Sequence, residues 1–427
     1  MLIYVEYITE RLLYTLDFVF SDRKIAYEIT NDGIQFMAAK GNKLNYSTRE
    51  FEACLQLKPA SLLFEETLFK GEINTGTFHQ AECLSFDKQL DPLAAIFYVL
   101  SRMEEYNTIQ TDHFQRFEAK ASILYKKGWL RQPICEIWSL DFIEFLEENW
   151  HCQLNPRALR YLFQPTFDID NTFAYAHKNQ LRSKLADLKD LIYRRKGRRS
   201  DRHQVRKGLQ PDPYDTFDWI EQIAQHFSET KVFWLLGNYS KLDKNISHLN
   251  LEQQAKIKQV AKVAEIGLHA SSQTQNSAQQ LQIESARLAA ITGYHPNSNR
   301  QHFLLLQVPQ TYQLLLQNGI THDYTMGYAE TTGFRAGTAR SFRWFDLSKN
   351  EITALHIHPF AYMDGTLLEY MKLSPKEAIE EITFLHAQVQ QFGGTFSFLW
   401  HNETISGYQH WAAYQEVFKA CLRLGEV

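Results

Sequence analysis

From about residue 160 onward, short apolar runs alternate with helical stretches, and this alternation limits the fold more than any other feature of the chain. The runs fall near 162–170, 231–236, 264–269, 299–304, 319–324, 333–338, 353–358 and 395–401. Helical patterns fit about 214–228, 250–263, 277–292, 309–318 and 374–392. Strands separated by helices need crossover connections, and crossovers give parallel pairing. Six to eight such units predict a (β/α) barrel. Polar residues gather where the runs end: Asp168, Asp170, His269, His302, Asp323, His358 and His401. In a barrel those ends share one rim, the usual position of an active site.

Residues 1–155 follow a different pattern and read as a separate α+β unit, with the barrel over 156–427. A chain of 427 residues exceeds one ordinary core, so two units are expected. Ile25, Tyr27 and Ile29 alternate as in a strand. Asp91-Pro92 opens a helix through Ala94, Ile96, Phe97 and Leu100, with Pro92 at its first position. A second helix runs from about Ile134 to Trp150. Glu104 and Glu105, beside Arg102 and Tyr106, predict a solvated helix face. No catalytic constellation is evident in this unit.

The net charge of -4 is too small to make nucleic acid or a membrane the main partner. No stretch reaches the roughly 18 apolar residues of a membrane span. Glu6, Glu10, Arg11 and Asp17 interrupt the first twenty residues, unlike a signal peptide. The five cysteines are scattered and no CxxC pair exists, so neither a zinc knuckle nor a disulfide framework is indicated. A cytoplasmic location is expected. One basic stretch, Lys189, Arg194, Arg195, Lys196, Arg198, Arg199, Arg202, Arg206 and Lys207, suits an anionic polymer or membrane surface. It also suits a solvated, mobile insertion, the reading favoured here.

The run Thr166-Phe167-Asp168-Ile169-Asp170 carries the chemistry. On a strand, Asp168 and Asp170 point the same way. Two carboxylates on one face repel unless a cation lies between them or one holds a proton. A hydrolase in which one acid binds a metal and the other takes a proton from water needs that pairing. The plainer reading is a strand end capping the next helix through Asp170 or Asn171. Glu265-Ile266-Gly267-Leu268-His269 ends in an imidazole that, beside those acids, becomes a metal ligand suited to zinc or a similar divalent ion. In Asn299-Arg300-Gln301-His302, Arg300 can hold a carboxylate by two parallel hydrogen bonds. His302 is either a further ligand or a packed surface histidine. His358, in His356-Ile357-His358-Pro359, and His401, in Trp400-His401-Asn402-Glu403, are alternative proton donors. The Gly-rich segment Gly333–Thr338 lacks phosphate-cradle spacing, and no GxSxG elbow is present.

At these residues the chain resembles the polysaccharide deacetylase (NodB-like) family over about 160–405, in a bacterial subgroup with an extra N-terminal unit. The resemblance implies a distorted (β/α) barrel of that type and a metal-dependent hydrolase removing acetyl groups from an N- or O-acetylated sugar or polysaccharide precursor. By TFDID, it implies Asp168 as general base and Asp170 as metal ligand. By EIGLHASSQ, it implies His269 as a second ligand. The family's second histidine, four residues later, is Gln273 here; either His302 replaces it or the metal is held loosely. NRQHF corresponds to the family's arginine that pairs with the base, Arg300. Chain order points to His358 as the acid, and the local pattern LWHNE points to His401. The implied cofactor is a divalent metal, with zinc expected, and the implied partner is an acetylated glycan. An amidase acting on a small non-sugar substrate and a catalytically inactive glycan-binding module are the alternatives.

Overall fold

The computed structural model describes residues 1–106, 110–178, 186, 188, 190, 192 and 197–426. The C-terminal part is an α/β unit built on one curled eight-stranded sheet. Its strands are β1 (Tyr161–Ile169), β2 (Lys231–Trp234), β3 (Glu265–Ala270), β4 (Ser298–Gln301), β5 (His322–Asp323), β6 (Phe342–Asp346), β7 (Glu351–Ile357) and β8 (Gly394–His401). The spatial order is β6-β7-β5-β4-β3-β2-β1-β8. All neighbours are parallel except β6 and β7, which form an antiparallel pair. Between the two edges the curl is bridged by single hydrogen bonds. Thr395 N–H donates to Ala339 O, Ala361 N–H to Ser397 O, and Leu399 N–H to Tyr362 O.

The connecting helices lie where the periodicity places them: Phe217–His226, Leu251–Val260, Ala278–Thr292, Gln310–Gln317 and Pro375–Phe392. The last begins with a capping box, Ser374 to Glu377, and Pro375 in its first turn. Two expected strands differ. Residues 333–338 form no strand, because Gly333 (φ 124°) and Gly337 (φ 63°) take left-handed conformations and turn the chain. The sixth strand lies at Phe342–Asp346 instead. The run expected over 299–304 stops at Gln301, because Phe303 sits at φ 58°, ψ 14°. Gly267 on β3 makes room for an inward ring. A Cβ there would meet the ring of Phe233 at 2.6 Å.

The N-terminal part carries a four-stranded and a three-stranded sheet of its own. Its helices Pro92–Leu100 and Ile134–Trp150 match expectation, and Asp91 caps the first through Leu93 and Ala94 N–H. Both parts share one continuous apolar core. Glu104 and Glu105 are not a solvated face. Glu105 is buried and accepts hydrogen bonds from Arg102 Nε (2.8 Å) and from Arg335 Nε and Nη2 (3.0 and 2.6 Å) of the barrel. Burial works against its charge, but the two guanidiniums hold its pKa below the usual value. Of the basic stretch, Lys189, Arg194, Arg195 and Lys196 lie outside the described residues. Arg198–Arg206 is a helix whose Arg202 is buried in an ion pair with Asp190. Among the described residues, no helix is long and apolar enough to cross a membrane.

Candidate active site and metal centre

Strand register assembles the site. Asp168 stands opposite His401 on one side and Phe233 on the other, and His269 stands opposite Arg300. These positions lie at the C-terminal ends of β1, β8, β3 and β4, so the parallel sheet brings residues far apart in sequence to one mouth. Asp168, His269, Arg300 and His302 are all buried.

Asp170, His269 and His302 offer ligand atoms within 4.8 Å of one another. His269 Nε2 lies 3.1 Å from Asp170 Oδ1, and His302 Nε2 lies 3.4 Å from Asp170 Oδ2. Each imidazole is oriented through its other nitrogen. His269 Nδ1 donates to the Arg300 carbonyl oxygen at 2.9 Å, and His302 Nδ1 donates to Asp243 at 2.8 Å. A neutral imidazole that donates from Nδ1 presents a bare Nε2. Two such nitrogens and a carboxylate then face one centre with no proton between them. Asp170 Oδ1 is accordingly buried without a hydrogen-bond partner. The residues therefore fit a divalent cation, with outer hydrogen bonds of the kind that orient metal-binding histidines. Without one, the centre attracts a proton. Burial opposes charge on His302, but Asp170 and Asp243 raise its pKa to about 9. Burial would raise Asp170 too, yet the facing histidines hold it well below the usual range. Gln273 points elsewhere. It is exposed and donates to Asn238 O at 2.9 Å.

Two further pairs flank the centre. Asp168 Oδ1 accepts from Arg300 Nη1 at 2.8 Å, which leaves Oδ2 3.6 Å from His269 Nε2. Arg300 grips by this single bond rather than a fork: its Nε donates to Tyr324 O and its Nη2 makes no hydrogen bond. Opposite, His401 Nδ1 lies 2.9 Å from Asp364 Oδ1, and its Nε2 lies 3.9 Å from Asp170 Oδ2. Asp364 is fully buried and also accepts from His401 N–H and the Thr404 hydroxyl. Burial disfavours the imidazolium, but the Asp364 carboxylate outweighs it and holds the His401 pKa well above normal. Burial, followed by the charge of Asp170, pushes Glu403 up to about 7.

His358 does not reach this group. It stacks on Tyr324 (4.3 Å between ring centres), hydrogen-bonds His322 at 2.9 Å and does not line the cavity. Burial and its neighbours His322, His356 and Lys231 lower its pKa to about 3, so it stays uncharged at neutral pH. Asp323 is likewise buried against Asn299 and Thr325 rather than at the rim. Asp323 ends the two-residue β5 and His358 follows β7, and β4, β3 and β2 lie between this pair of strands and β1. Sequence reasoning missed Asp243 and Asp364. Asp364 lies in the run HPFAYMDGT, but a lone acid at the start of a short helical turn gives no local sign of its partner.

The centre opens into a cavity of about 360 Å³ whose walls include Phe303, Tyr370, Tyr408 and Trp411. Arg116 of the N-terminal part also lines it.

Residues 1–151 match a family of unknown function (DUF7033). No curated protein matches the chain. Among solved structures, the chain is similar to a protein described as a polysaccharide deacetylase from Mycobacterium smegmatis, at 16% identity and a TM-score of 0.40, covering 62% of this chain and 85% of that one. It is also similar to an allantoinase, at 11% identity and a TM-score of 0.37, covering 61% and 83%. A polysaccharide deacetylase from Bacillus cereus matches at 10% identity and a TM-score of 0.27, covering 62% and 86%.

Proposed function

We propose that the chain is a divalent-metal-dependent hydrolase that removes acetyl groups from an N- or O-acetylated sugar or polysaccharide precursor. The observation that carries this reading is the convergence of Asp170, His269 and His302 on one centre, with Asp168–Arg300 and His401–Asp364 flanking it. Two imidazoles and one carboxylate suit zinc. When bound, such an ion lowers the pKa of water and polarises a carbonyl. Asp168, oriented by the Arg300 hydrogen bond to its Oδ1, takes the water proton through Oδ2. The hydroxyl adds to the acetyl carbon, and the bond from that carbon to the sugar nitrogen or oxygen breaks. His401, held protonated by Asp364, gives its Nε2 proton to the departing atom, so acetate and a free amine or hydroxyl leave. Trp411, Tyr370 and Phe303 offer apolar ring faces on which a sugar can stack.

Purified protein is expected to carry one divalent ion per chain and to release acetate from acetylated oligosaccharides. A chelator should abolish that release, and zinc should restore it. Asp168→Asn should keep the metal and lose roughly 100- to 10,000-fold in rate, the usual effect of removing a general base. Near-full activity in Asp168→Asn would overturn the assignment.

A further inference from the structure

His302, which the strand-end pattern offers as a candidate ligand, is followed by an unusual turn. Directly after it, Phe303 (φ 58°) and Leu304 (φ 53°) both adopt the left-handed conformation. That region is disfavoured for residues with a Cβ, so two in succession persist only when their surroundings hold them. The N-terminal part supplies the hold. Arg116 Nη1 donates to the Phe303 carbonyl oxygen at 2.9 Å, and the ring of Phe114 packs on that of Phe303 with centres 5.2 Å apart. Phe303 in turn contacts the ring of His302, 4.4 Å between centres.

The holding segment is itself rigidly built. Thr111 and Phe117 pair as an antiparallel bridge. Asp112 Oδ1 accepts from Phe114 N–H and Arg116 N–H at 2.8 and 2.9 Å. Its Oδ2 accepts from Arg116 Nε at 2.7 Å, which fixes the guanidinium over the Phe114 ring. Burial opposes charge on Arg116, but Tyr370 and Asp112 outweigh it and raise its pKa. His302 is thus held from two directions. Asp243 fixes its ring from within the barrel, and residues 111–117 fix its backbone turn from outside it.

We propose that the segment 111–117, within the region that matches the family of unknown function, is a clamp that positions His302 for metal binding. It makes the metal affinity of the barrel depend on the N-terminal part. Arg116 and Phe114 act through Phe303 and are positioning residues. The inference rests on the reading of Asp170, His269 and His302 as a metal centre.

The test is zinc affinity, measured on the full chain by competition with a chromophoric chelator and read beside Tm. Arg116→Ala and Phe114→Ala are expected to weaken zinc binding by ~10- to 100-fold, as loss of an outer partner of a metal ligand does. The absorption bands of the cobalt(II)-substituted protein should shift with them, because the geometry around His302 changes. A role in stability alone would lower Tm with affinity and spectrum unchanged, and that result overturns the clamp. His302→Ala separates the clamp from the metal reading. If His302→Ala loses zinc while both clamp variants bind as wild type does, only the clamp fails. If His302→Ala binds zinc like wild type, the ligand assignment fails and takes the clamp with it. If Arg116→Ala does not fold, Phe114→Ala decides alone, since that ring is only half-buried.

Discussion

Asp364→Asn tests the site at its most quantitative point. The carboxylate lies 2.9 and 3.1 Å from His401 Nδ1 through its two oxygens and is fully buried. A hydrogen bond to a charged group contributes about 1.5–3 kcal/mol. One pKa unit corresponds to ~1.36 kcal/mol. Replacing the carboxylate by an amide of the same shape removes the largest charge opposing burial and leaves only the more weakly acting Asp170 and Asp168. The His401 pKa should therefore fall by about one to two units. The proposed acid role needs His401 in its protonated form, so its contribution would be complete below its pKa and lost as pH rises through it. The alkaline limb of the rate profile should move down by that amount, with little change in the rate well below it. Rates on the alkaline side should drop by ~10- to 100-fold. Acetate release across pH reads this in the metal-loaded protein. Nitrogen-15 histidine spectra of chelator-treated protein read the same titration without any substrate. An imidazole that titrates at the same pH in Asp364→Asn and wild type would refute the pairing, and with it the choice of His401 as the acid.

Metal binding should release protons. With a pKa of about 9, His302 is protonated at neutral pH in metal-free protein and must lose that proton to become a ligand. Calorimetry in buffers of different ionisation enthalpy should show a release that fades as pH rises through about 9, and no pH dependence there would contradict the assignment. The same raised pKa gives metal-free protein a stabilising contribution that is complete below about 6.5 and is lost as pH rises through about 9. Glu105→Gln should destabilise the fold by about 3–5 kcal/mol, because it leaves Arg335 buried without its counter-charge and Arg102 with Glu104 alone. Denaturant titration at neutral pH measures it, and an unchanged midpoint would show that the pair is dispensable. Since the folded pKa of Glu105 is depressed, this stabilisation exists above the unfolded value of about 4.3 and is lost as pH falls through the folded one. Acid unfolding of Glu105→Gln should accordingly begin from a lower plateau and depend less on pH.

What local order encodes was legible in the chain. Alternation of apolar runs with amphipathic stretches gave the parallel strands and the boundaries of the connecting helices, because side-chain period and capping chemistry act over a few residues. Asp91-Pro92 and Ser374-Pro375 mark helix starts by themselves. Asp168 and Asp170 share a face simply by being two apart on a strand. His269 could be named from its place at a strand end. Tertiary structure alone decided which polar groups meet. His302 meets Asp170 and Asp243 beside a kink at Phe303 that no residue type there announces. His401 rather than His358 faces the carboxylates because β8 pairs directly with β1, whereas β5, β4, β3 and β2 lie between β7 and β1. Asp243, Asp364 and Arg116 lie 59, 37 and 187 residues away from the groups they hold. Their contacts depend on the packing of the whole molecule, and sequence spacing carries no trace of it. Glu105 reads as a surface acid beside its neighbours, and only the docking of the two halves supplies the second arginine that makes its burial tolerable.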